Sequence, residues 1–100
     1  MKAELLAKYL AAMETNPRLF VARGEPVAIA GYQERHMELY GLGRRDLKAL
    51  EKLGYAMRGY TKNYWAGGET LPNGRVVPEG AAYRSDGHRV VWVLLKDVAI

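Results

Sequence analysis

The chain has 100 residues, no cysteine and a formal net charge of +4, with 49% apolar and 26% charged residues. This length makes one domain with a single core, residues 1–100, and the composition is that of a globular chain, which excludes wholesale disorder. Without cysteine there are no disulfides, no zinc ribbon and no thiol catalysis.

No apolar run approaches the ~20 residues that a membrane span needs. Glu4 and Lys8 interrupt the N-terminal MKAELLAKYLAAM, so no signal-peptide core is expected. The expected location is cytoplasmic, with no membrane partner. A single Gln (Gln33), only three Asn and no Cys match the depletion of thermolabile amides and thiols in thermophile proteins, or, with the single Ser (Ser85), a GC-rich coding bias.

In chain order, residues 2–14 predict an amphipathic helix. Leu5, Leu6, Tyr9, Leu10 and Met13 recur at helical spacing, and Asn16-Pro17 ends the run because the residue before proline avoids helical backbone. Residues 18–30 predict a short hairpin, or one strand after a turn, around Arg23-Gly24-Glu25-Pro26. Gly31 breaks that pattern. Residues 32–40 predict a short helix with Tyr32, His36 or Met37, and Leu39-Tyr40 facing inward. Gly41-Leu42-Gly43 is a tight connector.

Residues 44–53 carry the clearest helical pattern. Leu47, Leu50 and Leu53 form an inner stripe helped by Ala49, while Arg44, Lys48 and Lys52 share the opposite face. Gly54 stands where a glycine C-cap belongs. The period then changes to two, and residues 55–65 predict a strand with Arg58, Tyr60, Lys62 and Tyr64 on one face. Gly67-Gly68 and Pro72-Asn73-Gly74 are turns, and Arg75–Val77 is a short extended piece. Ala82–Arg84 and Arg89–Leu95 flank Asp86-Gly87, a hairpin signal. The last strand is apolar enough to be central and buried, and Trp65 and Trp92 are expected in the core.

The stretch from Arg44 to Lys62 holds six basic residues, Arg44, Arg45, Lys48, Lys52, Arg58 and Lys62, against Asp46 and Glu51. Its surplus of four equals that of the whole chain. Charge gathered in this way is usually presented to something anionic, most often nucleic acid. The plainer reading of the helix face is solubilisation, and that of Arg58-Tyr60-Lys62-Tyr64 is an ordinary solvent-facing strand.

The run ERHMELYGLGRRDLKALEKLGYAMRGY followed by HRVVWVLLK resembles the winged helix-turn-helix family over about residues 25–96. The carrying features are a helix, a short turn, a second helix and a Leu50-Glu51-Lys52-Leu53-Gly54 exit into a strand. The resemblance implies an α+β fold of three helices and a small antiparallel sheet, with residues 44–53 as the recognition helix and an extended wing between residues 55 and 96. It implies double-stranded DNA as partner. Arg44 and Arg45 would then reach base edges, Lys48 and Lys52 phosphates, and Arg58, Tyr60 and Lys62 flanking phosphates or bases. Residues 66–88 are long for a wing. The same Gly41-Leu42-Gly43 turn also looks like a helix-hairpin-helix signature, which binds phosphate through backbone amides.

Other chemistries find less support. His36 and His88 stand far apart, so a His36/Glu38/His88 metal site has no spacing behind it; no metal or cofactor is expected. The lone Ser85 sits in a turn, which disfavours a Ser-His-Asp enzyme, and no Gly-rich loop is followed by the Lys-Ser/Thr of a phosphate loop. Tyr83, Arg84, His88 and Arg89 would be the set for a small metal-independent ribonuclease. The expectation is a non-enzymatic, double-stranded DNA-binding regulator or accessory factor, with a homodimer through helix 2–14 as one assembly. The alternative is a basic module docking on an acidic protein surface, with Leu19-Phe20 and Tyr32 as apolar anchors.

Overall fold

The structure, a computed structural model, describes residues 1–27, 31–85 and 89–98. It is α+β: helix α1 (Ala3–Thr15), a 3-10 turn (Pro17–Leu19), β1 (Phe20–Val21), α2 (Glu34–Glu38), α3 (Arg44–Leu53), β2 (Ala56–Tyr60), β3 (Tyr64–Ala66), β4 (Ala82–Arg84) and β5 (Val90–Leu95). No helix among the described residues is long and apolar enough to cross a membrane.

The core forms where the helices meet one face of a three-stranded sheet in the order β1-β5-β2. Tyr9 and Ala12 of α1, Leu19, Phe20, Met37 of α2, Leu42, Leu47 and Leu50 of α3, and Ala56, Trp92 and Leu94 of the sheet are buried together. Tyr9 packs edge-on against Phe20 and Tyr55, at centroid distances of 5.1 and 5.4 Å, and its hydroxyl donates to the Leu95 carbonyl. Val21, Val93 and Leu95 lie on the opposite face, covered by Val27 and Val98. That cover is close: a Cβ on Gly31 would stand 2.5 Å from the Val91 side chain, and one on Gly59 2.5 Å from Val27.

Three expectations need correction. The sheet is mixed rather than wholly antiparallel: β2 runs antiparallel to β5, with Met57 opposite Val93 and Tyr60 opposite Val90, but β1 joins β5 in parallel. The hairpin or strand expected over residues 18–30 falls partly on residues outside the described ones, but the turn after β1 lies within them. It is closed by Glu25, whose N–H donates to the Ala22 carbonyl and whose carboxylate accepts from the Ala22 N–H. An antiparallel bridge from Tyr32 to Trp92 brings the chain back to the sheet.

Second, residues 55–65 form two strands, and β4 pairs with β3 rather than with β5. The long segment from β2 to β5 is one extended hairpin. Its tip is the turn at Pro72-Asn73-Gly74, where Leu71 N–H bonds the Arg75 carbonyl and Gly74 takes a φ of +89°. Of two turn signals, Asn73-Gly74 reverses the chain; Asp86-Gly87 falls outside the described residues. Between the two ladders Thr61 N–H bonds the Arg89 carbonyl and Ser85 N–H the Asn63 carbonyl. The molecule is accordingly long, 52 × 23 × 22 Å.

Third, the α3 stripe is narrower than expected. Leu47 and Leu50 are fully buried, but Leu53 is 48% exposed, because α3 ends one turn past the sheet contact at Gly54 (φ +85°). Leu39 is 78% exposed, and Leu42 takes the inward place instead. The expected glycine cap is present: Gly54 and Tyr55 N–H groups bond the Glu51 and Leu50 carbonyls.

Leu50→Ala should lower unfolding free energy by about 2–5 kcal/mol in urea denaturation, whereas Leu53→Ala should cost less than about 1 kcal/mol. Burial pushes the Tyr9 phenol up from 10.0 to about 12, with Tyr55 and Asp97 adding to it. The neutral phenol is thus favoured by folding, and its contribution is complete below pH 10 and lost as pH rises from 10 to 12. Equilibrium unfolding across that range should show a steeper loss for the wild type than for Tyr9→Phe.

Candidate nucleic-acid interface

The N-terminus of α3 is locked before it meets any partner. Gly41 takes a φ of +81°, which turns the chain so that Leu42 points into the core. Asp46 reaches back to accept from the Gly43 N–H at 3.2 Å, and Lys8 of α1 pairs with the same carboxylate at 3.2 Å. A carboxylate in the first turn complements the helix dipole. The other connector amides are also used: Gly41 N–H bonds the Glu38 carbonyl and Leu42 N–H the Met37 carbonyl. A phosphate bound by this turn, as a helix-hairpin-helix would bind it, finds those three donors already taken.

Beside α3 lies a basic cleft of about 510 Å³, walled by Gln33, Glu34 and Arg35 at the start of α2, Arg44 and Lys48 of α3, Arg58 of β2, and Arg89, Val90 and Trp92 of the β5 arm. Five cations thus face one acid. Arg44 Nε stands 3.7 Å from Glu34 Oε1, and Arg58 Nε stands 3.5 Å from Glu51 Oε2, both as exposed pairs. Such pairs contribute on the order of 0–1 kcal/mol, so an arriving phosphate can replace either carboxylate. Arg35, Lys48 and Arg89 form no ion pair among the described residues.

Arg58 sits directly across the ladder from Trp92, and its guanidinium lies 5.7 Å from the indole centroid. Trp92 is buried, as expected, and its indole N–H has no acceptor among the described residues. Trp65 is buried too, and stacks obliquely on Tyr83 at 5.7 Å.

The seven residues singled out in the sequence separate into groups. Arg44, Lys48 and Arg58 converge on the cleft. Arg45 points to the far flank of α3, into a groove of about 1050 Å³ shared with Met1, Lys2 and Leu5 of the N-terminal segment. Lys52 is exposed near the end of α3 and does not line the cleft. Tyr60 is 65% exposed at the cleft's edge, opposite Val90. Lys62 is spent within the hairpin: it hydrogen-bonds Glu69 at 2.7 Å and lies 6.0 Å from the Trp65 ring. The hydrogen bond from Lys62 holds the Glu69 carboxyl below its ordinary range, assisted by the Ala66 N–H.

Sequence reasoning missed Arg35 and, as part of this cluster, Arg89. Arg89 precedes β5 by one residue, and its backbone exchanges bonds with Thr61. The pairing of Tyr60 with Val90 is what places it here. Of the other candidates, His36 is stacked on Tyr32 at 4.7 Å and lies 5.8 Å from Tyr40, and no group of three His, Asp or Glu able to hold a metal occurs among the described residues. His88 lies outside them. Tyr83 and Arg84 lie on β4, well along the hairpin from Arg89.

Asp46→Ala removes the Gly43 cap and the Lys8 pair together. A loss of about 1 kcal/mol in thermal or urea unfolding is expected, with Asp46→Asn retaining part of it through the cap. No family model matches this chain, nor does any curated protein or solved structure.

Proposed function

We propose that the protein is a small double-stranded DNA-binding factor, a transcriptional regulator or accessory protein of winged-helix-like architecture. The observation that carries this reading is the convergence of Arg35, Arg44, Lys48, Arg58 and Arg89 from four separate segments on one open cleft beside α3. A solvated charged face would scatter its cations. Here two helices and both strands of a hairpin aim theirs inward on a common volume, as a phosphodiester backbone requires.

The element order supports the same reading. Helix α2, the Gly41–Gly43 turn and α3 lead through Gly54 into a hairpin, the arrangement in which a second helix enters a major groove. At ten residues α3 is about 15 Å long, and the groove is about 12 Å wide. In this reading α3 lies in the groove with Arg44, at its N-terminus, toward base edges, while Arg45 stays on the far flank. Lys48, Arg35, Arg58 and Arg89 hold one phosphate backbone in the cleft, and exposed Lys52 meets the other strand.

The alternative of a basic module on an acidic protein surface loses its expected anchors. Leu19 and Phe20 are in the core, and Tyr32 is stacked on His36. It keeps one observation: the groove between α1 and α3 sets apolar Met1, Leu5, Ala49 and Leu53 beside Lys2 and Arg45.

Binding to a mixed-sequence duplex, titrated from low to physiological salt, tests the proposal. Five phosphate contacts predict a slope of log K on log salt of about −4 to −5. Lys48→Glu/Arg89→Glu should abolish tight binding at low salt, and Lys48→Ala/Arg89→Ala should reduce the slope by about 2. Absence of duplex binding by the wild type at low salt, or indifference to the charge reversals, overturns the proposal and leaves the protein-partner reading.

A further inference from the structure

We propose that the hairpin arm beyond the cleft binds a single-stranded nucleic-acid segment, so that the preferred ligand is a duplex continued by an unpaired strand; this rests on the duplex reading of the cleft. The arm begins at the cleft itself. Tyr60 stands opposite Val90, a cleft-lining residue, and is 65% exposed; Tyr64 follows four residues later, opposite Arg84, and is 47% exposed. Four residues of extended chain span at most about 13 Å, the length of a few nucleotides.

These two rings differ from the other tyrosines of the chain. Tyr9, Tyr55, Tyr32, Tyr40 and Tyr83 each pack against another ring. Tyr60 and Tyr64 make no ring–ring or cation–π contact among the described residues, and Arg84 stands across the ladder from Tyr64. In a duplex the base faces are covered by their neighbours, and a half-exposed ring on a protein arm cannot stack on them. An unpaired base offers that face, whatever its identity.

The charge along the arm is complementary to such a strand. Arg84 and Arg89 are exposed and form no ion pair among the described residues. The described acids of the arm are withdrawn from this path: Glu69 is bonded to Lys62, and Glu79 lies against Gly68 near the far loop. A backbone leaving the cleft past Arg89 therefore meets Tyr60, Tyr64 and Arg84 in succession. Stacking supplies affinity without reading sequence, and the arginines supply phosphate contacts.

Equilibrium binding to three labelled DNAs tests this: a blunt duplex, and the same duplex with an oligothymidine tail of roughly ten nucleotides on either the 3′ or the 5′ end. The tail, on one polarity, should raise wild-type affinity by about tenfold or more. Tyr64→Ala should lose most of that gain while binding the blunt duplex as the wild type does; its side chain is half exposed, so the fold is retained. Tyr60→Phe/Tyr64→Phe should keep the gain, because stacking needs the ring and not the hydroxyl. Equal affinity for blunt and tailed duplexes overturns the single-strand site and leaves the duplex reading intact. Loss of the gain in the Phe variant overturns stacking as its basis, and failure to bind any of the three DNAs overturns both readings.

Discussion

Every segment that brings a cation to the cleft is held in place by β5. On one edge, Tyr32 exchanges two backbone hydrogen bonds with Trp92, at 2.8 and 2.7 Å, which sets where α2 and Arg35 begin. On the other edge, β2 pairs with β5 residue for residue from Ala56–Leu94 to Tyr60–Val90, which sets Arg58 across from Trp92. Arg89 is simply the residue before the strand. Helix α3 reaches the same strand through Leu47 and Leu50, packed in one core with Trp92 and Leu94. A strand buried on both faces can do this because its register cannot slip: a shift by one residue would exchange Trp92 and Leu94 with Val91 and Val93.

Arg58 and Trp92 show how the core and the charged surface are joined. The indole ring belongs to the core below, and the guanidinium lies over it from the cleft side while also meeting Glu51. The ring is among the largest fully buried side chains of the described core. Arg58 is thereby less free than a surface arginine, and loses less conformational entropy when it meets an anion.

Much was legible in the residues. The extent of α3 follows from its period and its end from Gly54, because a local pattern and a local cap need no knowledge of the rest of the chain; the Asp46 carboxylate that accepts from Gly43 N–H is a finding of the structure. The buried character of β5 follows from its unbroken apolar run. The errors concern partners. Ala82–Arg84 and Arg89–Leu95 look like a hairpin because Asp86-Gly87 lies between them, yet their partners are β3 and β2. A turn signal reports that a chain can reverse, not which strands will pair, and the Asn73-Gly74 turn is the one at the tip of the arm. Leu53 failed as a core residue because periodicity marks a face of the helix without saying how far along that face the neighbouring sheet extends.

The amino-acid sequence by itself determined the α+β class, the position of the helices and the Gly54 cap, the apolar last strand and a charge surplus concentrated between Arg44 and Lys62. These are set by contacts within a few residues, or by composition alone. Only the tertiary structure decided which cations act together. It joined Arg35 and Arg89 to Arg44, Lys48 and Arg58, sent Arg45 to the far flank of α3, and tied Lys62 to Glu69. The reason is that strand pairing is non-local: the register between residues 56–60 and 90–94 is chosen by how Trp92 and Leu94 pack beneath the helices, and the positions of the charges follow from that choice.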